Sequence, residues 1–284
     1  MIQVEAYFDD ATNTVTYLVE DVATKHAVLI DPVLDYEPHR AALTTAAVDR
    51  ILSAIRAREL ELTWVLDTHA HADHLSAADY VRTETGAKMG IGAKITNVQK
   101  LFGPVFNARD VCANGSAFDA LLEDGDEISF GSSSINVMHT PGHTPACVTF
   151  IIGDAAFVGD TLFMPDYGTA RADFPGGDAR TLHQSIQKIL SLPPETRIFV
   201  GHDYLPKSRN HVAWESTVAE QIASNVHLQG LDEDAFVTMR EARDATLKAP
   251  RLILPSLQVN IRGGALPPAE SDGHTYLKLP INRI

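Results

Sequence analysis

Leu62-Thr63-Trp64-Val65-Leu66-Asp67-Thr68-His69-Ala70-His71-Ala72-Asp73-His74 is a short apolar run followed at once by four potential metal ligands within six residues. Leu62 to Leu66 has the length of a buried strand, and the loop behind it spells H-x-H-x-D-H. Alternate residues of an extended loop point the same way, so His69, His71 and Asp73 share one side. A turn into a following helix brings His74 round to meet them. A single histidine in a loop is most simply a capping or solvent-facing side chain, but this density of ligand atoms behind a strand predicts metal. One such loop can begin two adjacent metal sites.

Working outward, short strands alternate with helices, and no repeat or low-complexity tract interrupts them. VEAYF (4–8), TVTYLVE (14–20) and HAVLIDP (26–32) are rich in β-branched and aromatic residues and predict an antiparallel meander. Residues 41–60 carry Leu43, Ala47, Ile51, Ala54 and Ile55 at helical spacing. A helix through Tyr80 and Val81, a strand at KMGIG (88–92) and a weaker helical or loop stretch to about Phe106 follow, and 107–126 gives no clear reading. EISFG, SINVMHT, ACVTFII and AAFVGD, between 127 and 160, read as four consecutive strands. Leu182, Ile186, Ile189 and Leu190 mark an amphipathic helix stopped by Pro193 and Pro194, and RIFVGHDY (197–204) follows as a buried strand ending in a loop. Helices at about 211–226 and 232–247 precede a Pro- and Gly-rich tail, 248–284, expected to be irregular. Two sets of strands, each followed by helices, imply an α/β chain of two stacked sheets with helices outside, within one domain spanning 1–284.

Composition narrows the function. The chain has 284 residues, 45% hydrophobic and 21% charged, ample for a sizeable core. With 23 Lys and Arg against 37 Asp and Glu the formal charge is −14, a field that repels nucleic acids and anionic membranes. Only Cys112 and Cys147 are present, too few for a disulfide framework, and the N-terminus has no signal-peptide pattern, so a soluble cytoplasmic protein is expected. Cys147 reads as a small buried hydrophobe, and Trp64, Trp214 and Phe150 as core.

Three more ligand types stand just after predicted strands: His143 in TPGHT, Asp160 in FVGDT and His202 in VGHDY. Gly142, Gly159 and Gly201 precede them, as expected where backbone approaches a crowded site or takes a positive φ.

These motifs, in this order over about residues 10–205, resemble the metallo-β-lactamase superfamily. The resemblance implies the four-layer αβ/βα sandwich with a metal site at one edge of both sheets. Within the superfamily, the stretch TLFMPDYGTARADFPGGDARTL after Asp160 is similar to the bacterial persulfide dioxygenases, also called sulfur dioxygenases. It carries their G-x-x-R-x-D-F segment as Gly168, Arg171, Asp173 and Phe174. HDY at 202–204 and PRLILPSLQVN at 250–260 look like the same branch.

That resemblance implies one Fe(II) per chain on His69, His143 and Asp160, and oxidation of glutathione persulfide by O2 to sulfite and glutathione. Two histidines and a carboxylate leave open positions on iron, as non-haem oxygenases require. His71, Asp73, His74 and His202 then either orient those ligands or form a second metal site. Arg171, Tyr204 and Arg251 are the candidates for gripping the thiol's carboxylates, Arg171 competing with a structural ion pair to Asp166 or Asp173. A homodimer is the family expectation. The alternative is a dinuclear Zn(II) thioester hydrolase of the glyoxalase II type, for which every ligand is present. A non-catalytic metal-binding sensor is a third reading, opposed by the open positions of the ligand set.

Overall fold

The computed structural model describes residues 1–283. The chain begins with β1 (Ile2–Asp9), β2 (Thr14–Asp21), β3 (His26–Ile30), β4 (Val33–Glu37), β5 (Ala42–Thr44), α1 (Ala46–Ala57), β6 (Glu61–Asp67) and β7 (Leu75–Ser76). It continues through α2 (Ala78–Thr85), β8 (Lys88–Gly92), α3 (Ile95–Val105), β9 (Ala120–Leu122), β10 (Glu127–Phe130), β11 (Ser133–His139), β12 (Val148–Ile152) and β13 (Ala155–Phe157). The last elements are α4 (Ala179–Leu190), β14 (Arg197–Phe199), β15 (Glu215–Thr217), α5 (Val218–Ser224), α6 (Glu233–Asp244) and α7 (Ile253–Asn260).

Two six-stranded sheets result, ordered β1-β2-β3-β6-β8-β9 and β10-β11-β12-β13-β14-β15, beside a small sheet β5-β4-β7. The predicted meander is present as antiparallel β1-β2-β3, after which β6, β8 and β9 add in parallel. Period-two alternation sorts each strand between layers. On β2 and β3, Val15, Tyr17, Val19, Val28 and Ile30 enter the core between the sheets, while Leu18, Ala27 and Leu29 face the helical side. On β12 and β13, Phe150, Ile152 and Phe157 enter the same inner core and Ala156 faces away. Outside the first sheet lie α1, α2, α3 and α7, whose Ile51, Val81, Phe102 and Leu257 join one outer core. Outside the second, Leu182, Ile186 and Ile189 of α4 and Phe236 of α6 build the other. The fold is thus the four-layer αβ/βα sandwich.

Three expectations need correction. The predicted helix 41–60 is split: Ala42–Thr44 pairs antiparallel with Asp35–Glu37, and the helix starts only at Ala46. Two consecutive β-branched residues, Thr44 and Thr45, favour extended backbone there. The predicted helix 211–226 shrinks to α5, because Glu215–Thr217 is an edge strand on β14 and Thr217 then caps the helix reciprocally with Glu220. The tail from 248 contains α7, whose last five residues are all buried, so no amphipathic period betrays it. Residue 284, the end of that tail, lies outside the described residues. Among the described residues no helix is long and apolar enough to cross a membrane.

Candidate metal centre

Every candidate ligand follows a strand at the same edge of the sandwich. His69, His71, Asp73 and His74 occupy the loop leaving β6, His143 the loop leaving β11, Asp160 the turn after β13, and His202 the turn after β14. The crowding needs glycine. A Cβ on Gly159, at φ +50°, would lie 2.5 Å from Thr68 Oγ1, and one on Gly201 would lie 2.7 Å from Asp160 Oδ1.

The residues converge as two adjacent groups, His69, His143 and Asp160 in one, His71, Asp73, His74 and His202 in the other, each with ligand atoms within 4.8 Å of one another. Asp160 Oδ2 is 3.9 Å from His69 Nε2 and 3.7 Å from His143 Nε2, close to the span of two ligands each about 2.0–2.2 Å from one ion. Asp160 Oδ1 faces His202 Nε2 at 3.3 Å, and Asp73 Oδ2 faces the same nitrogen at 3.1 Å. His69 Nε2, His71 Nδ1, His74 Nε2, His202 Nε2 and Asp160 Oδ1 are buried and make no hydrogen bond. Orphaned buried polar atoms are costly, and five around one spot fit a cation that completes them.

Electrostatics agrees at His69 and His74. Burial, reinforced by the neighbouring His71 and His143, holds the His69 imidazole well below its usual range. Burial likewise takes His74 down to about 3, so both rings are neutral and present free nitrogens. Burial also acts on His71, but the Asp31 charge and hydrogen bond outweigh it and lift that ring to about 9. Asp160 is raised, chiefly by desolvation.

Around the ligands stands a set of supporting groups that the motif does not contain. Asp31, buried and at φ +51°, accepts from the Thr68 amide (2.7 Å), Thr68 Oγ1 (2.8 Å) and His71 Nε2 (3.0 Å). His143 Nδ1 donates to the Arg171 carbonyl at 2.8 Å, which leaves Nε2 for a metal. From α7, Asn260 accepts from Ser76 N and donates to the carbonyls of His71 and His74, all at 2.8 Å. Asp31 was legible only as the acid closing the strand HAVLIDP, and Asn260 lay in a segment expected to be irregular.

A cavity of about 330 Å³ opens beside the ligands, with His143, Asp160 and Asp73 in its wall. The three predicted substrate residues, Arg171, Tyr204 and Arg251, line it, as do Arg240, Arg243 and Tyr167, which sequence reading missed. Arg171 is held in a two-point pair by Asp173 and also donates to the Lys248 carbonyl, while Asp166 pairs instead with Arg209. Arg243 and Arg251 have no salt-bridge partner among the described residues. The Tyr204 ring stacks on His202, with centroids 5.6 Å apart and planes 14° off parallel. Cys147 is buried 3.1 Å from Thr144 Oγ1, and desolvation pushes its thiol up to about 12.

The family model of the metallo-beta-lactamase superfamily matches residues 9–202, and the chain belongs to it. It is 52% identical to a probable metallo-hydrolase of Burkholderia pseudomallei over 99% of both chains. It is 32% identical to the mitochondrial persulfide dioxygenase ETHE1 of Homo sapiens, across 92% of this chain and 88% of that one. Among solved structures, ETHE1 from Myxococcus xanthus superposes with a TM-score of 0.73 at 32% identity, covering 93% of this chain and all of that one. The chain spans 65% of the length of the beta-lactamase hydrolase-like protein of Xylella fastidiosa, to which it is 52% identical.

Proposed function

We propose that the protein is a persulfide dioxygenase with one Fe(II) held by His69, His143 and Asp160, acting on glutathione persulfide or a similar low-molecular-weight persulfide in the cytoplasm. The observation that carries this reading is a two-histidine, one-carboxylate group at the wall of a cavity lined by four arginines. Two histidines with a carboxylate suit an iron that keeps open positions, and the redox change of Fe(II) supplies the electron transfer between persulfide and O2 that Zn(II) cannot. In the overall reaction, persulfide, O2 and water give sulfite, the free thiol and two protons. The S–S bond breaks, and the outer sulfur is oxidised as O2 is reduced.

The chain's own residues bind and orient. Arg243 and Arg251, without protein partners, receive the two carboxylates of a glutathione-like thiol, while Arg171 borders the metal-facing end. Phe163, Tyr167 and Tyr204 wall the cavity with aromatic rings that exclude water from the reacting sulfur. The Arg171 carbonyl holds the Nδ1 proton of His143, which keeps the opposite nitrogen turned to the metal.

A second reading, a dinuclear zinc hydrolase of glutathione thioesters, is favoured by the neighbouring group His71, Asp73, His74 and His202. One experiment separates the two. Anaerobically Fe(II)-loaded protein is given glutathione persulfide while O2 uptake, sulfite and metal content are followed. One sulfite per O2 with about one iron per chain supports the dioxygenase. No uptake, two zinc ions per chain and hydrolysis of S-lactoylglutathione overturn it. Sedimentation of the same sample tests the expected homodimer.

A further inference from the structure

The strip Gly168–Ala172 lies between the cavity and the second sheet's helices, and its only strand-like contact among the described residues is the isolated bridge Leu162–Thr169. Side chains from α6 and from the turn between α5 and α6 hold it. Asn225 Nδ2 donates to the Gly168 carbonyl at 3.1 Å, and His227 Nδ1 accepts from Thr169 N at 3.0 Å. On α6, Arg240 Nη1 donates to the Thr169 carbonyl at 3.2 Å. Asp244 accepts Ala172 N at 2.8 Å through one oxygen, and Arg240 Nη2 at 2.7 Å and Nε at 3.0 Å through the other. Arg240 is 1% exposed and Asp244 4%, so a full buried ion pair is spent on a strip of five residues. A buried pair of this kind is poor value as general stabilisation, because desolvating two charges offsets their attraction. It has a definite geometric product instead. Between Thr169 and Ala172, both pinned by this pair, lies Arg171, whose carbonyl accepts His143 Nδ1 at 2.8 Å.

We propose that Arg240 and Asp244 are positioning residues for the metal centre: by clamping the strip 169–172 from α6 they fix the carbonyl that orients His143. The inference rests on His143 being a metal ligand, and on neither the substrate nor the metal assigned above.

The test uses full-length protein stripped of metal and titrated with Co(II), read by visible absorption, with thermal unfolding of the metal-free form alongside. His143→Ala identifies the spectral phase that depends on this ring. Asp244→Asn is expected to weaken that phase by about 10- to 100-fold, the usual effect of disturbing a ligand's hydrogen-bond partner, and to shift its absorption bands. Arg240→Lys keeps the charge but cannot reach both Asp244 and Thr169, so it is expected to give the same shift in milder form; it also serves if Asp244→Asn does not fold. Co(II) affinity within threefold of wild type with unmoved bands, beside a lowered unfolding midpoint, would make the pair merely structural and overturn the proposal. Unchanged Co(II) binding in His143→Ala would overturn the ligand assignment together with it.

Discussion

Asn260 gives the sharpest stability prediction. Its side chain, 2% exposed, satisfies three buried backbone groups at 2.8 Å each: the Ser76 amide and the carbonyls of His71 and His74. Asn260→Leu keeps the number and branching of side-chain heavy atoms, so no cavity is left, and orphans all three groups; its methyls are bulkier than the amide, which adds an overpacking cost. Each unsatisfied group costs about 1–3 kcal/mol. Burying an apolar side chain in the amide's place returns about 1–2 kcal/mol. The net loss lies between about 1 and 8 kcal/mol, centred near about 4–5 kcal/mol, a large share of the roughly 5–15 kcal/mol typical of a folded domain. Denaturant unfolding of the metal-free protein measures it as a lowered midpoint at unchanged slope. Because two of the three bonds hold the loop of His71 and His74, metal affinity should also fall, by about 10- to 100-fold. A stability loss under 1 kcal/mol together with unchanged metal affinity would refute the reasoning, and would mean that the loop holds its shape without α7.

Arg171→Ala should raise the KM for glutathione persulfide far more than it lowers metal content, measured on one preparation; equal loss of metal and activity would return Arg171 to the role of Asp173's structural partner. Asp21, whose carboxylate accepts the Ser132 hydroxyl and amide, is held well below its usual 3.8, chiefly by that hydroxyl. A lowered folded-state value means that its stabilisation is complete above about pH 4 and is lost as the pH falls further. Asp21→Asn should therefore flatten the acid limb of a stability-against-pH curve, and an unchanged limb would exclude Asp21 as a contributor. Native protein should expose one thiol to a disulfide reagent, Cys112, and a second only on unfolding, because Cys147 is buried with its thiol at about 12.

The sandwich was legible because its strands are short runs rich in β-branched and aromatic residues bounded by Asp, Asn, Gly, Ser and Pro, and its candidate ligands because H-x-H-x-D-H is dense and the other three sit behind strands. What stayed hidden did so for physical reasons. α7 buries its last five residues, the polar Ser256, Gln258 and Asn260 among them, so polar positions do not mark an exposed face. α3 contains Pro104 near its end and follows a glycine-containing strand, which blurs its start and stop. Asp31, Arg240, Asp244 and Asn260 are single polar residues far from the motif in sequence, and nothing local separates them from ordinary surface residues. Only the tertiary fold reveals that each is buried and fully occupied. Of the cavity's arginines, Arg171 was found through its segment, whereas Arg243 sits on a helix whose exposed face is expected to carry charge.

The clamp from α7 also bears on the order in which the molecule can be made. The bonds of Asn260 to Ser76, His74 and His71 join residues 184, 186 and 189 positions apart, and Thr14 meets His202 across a similar interval. Contacts of such long range form late and slow the folding of the chains that depend on them. During synthesis the histidine loop leaves the ribosome well before the segment that locks it. A nascent chain therefore carries its candidate ligands in a loop held from the Asp31 side alone, and the bonds from Asn260 are added after residue 260 has emerged and docked.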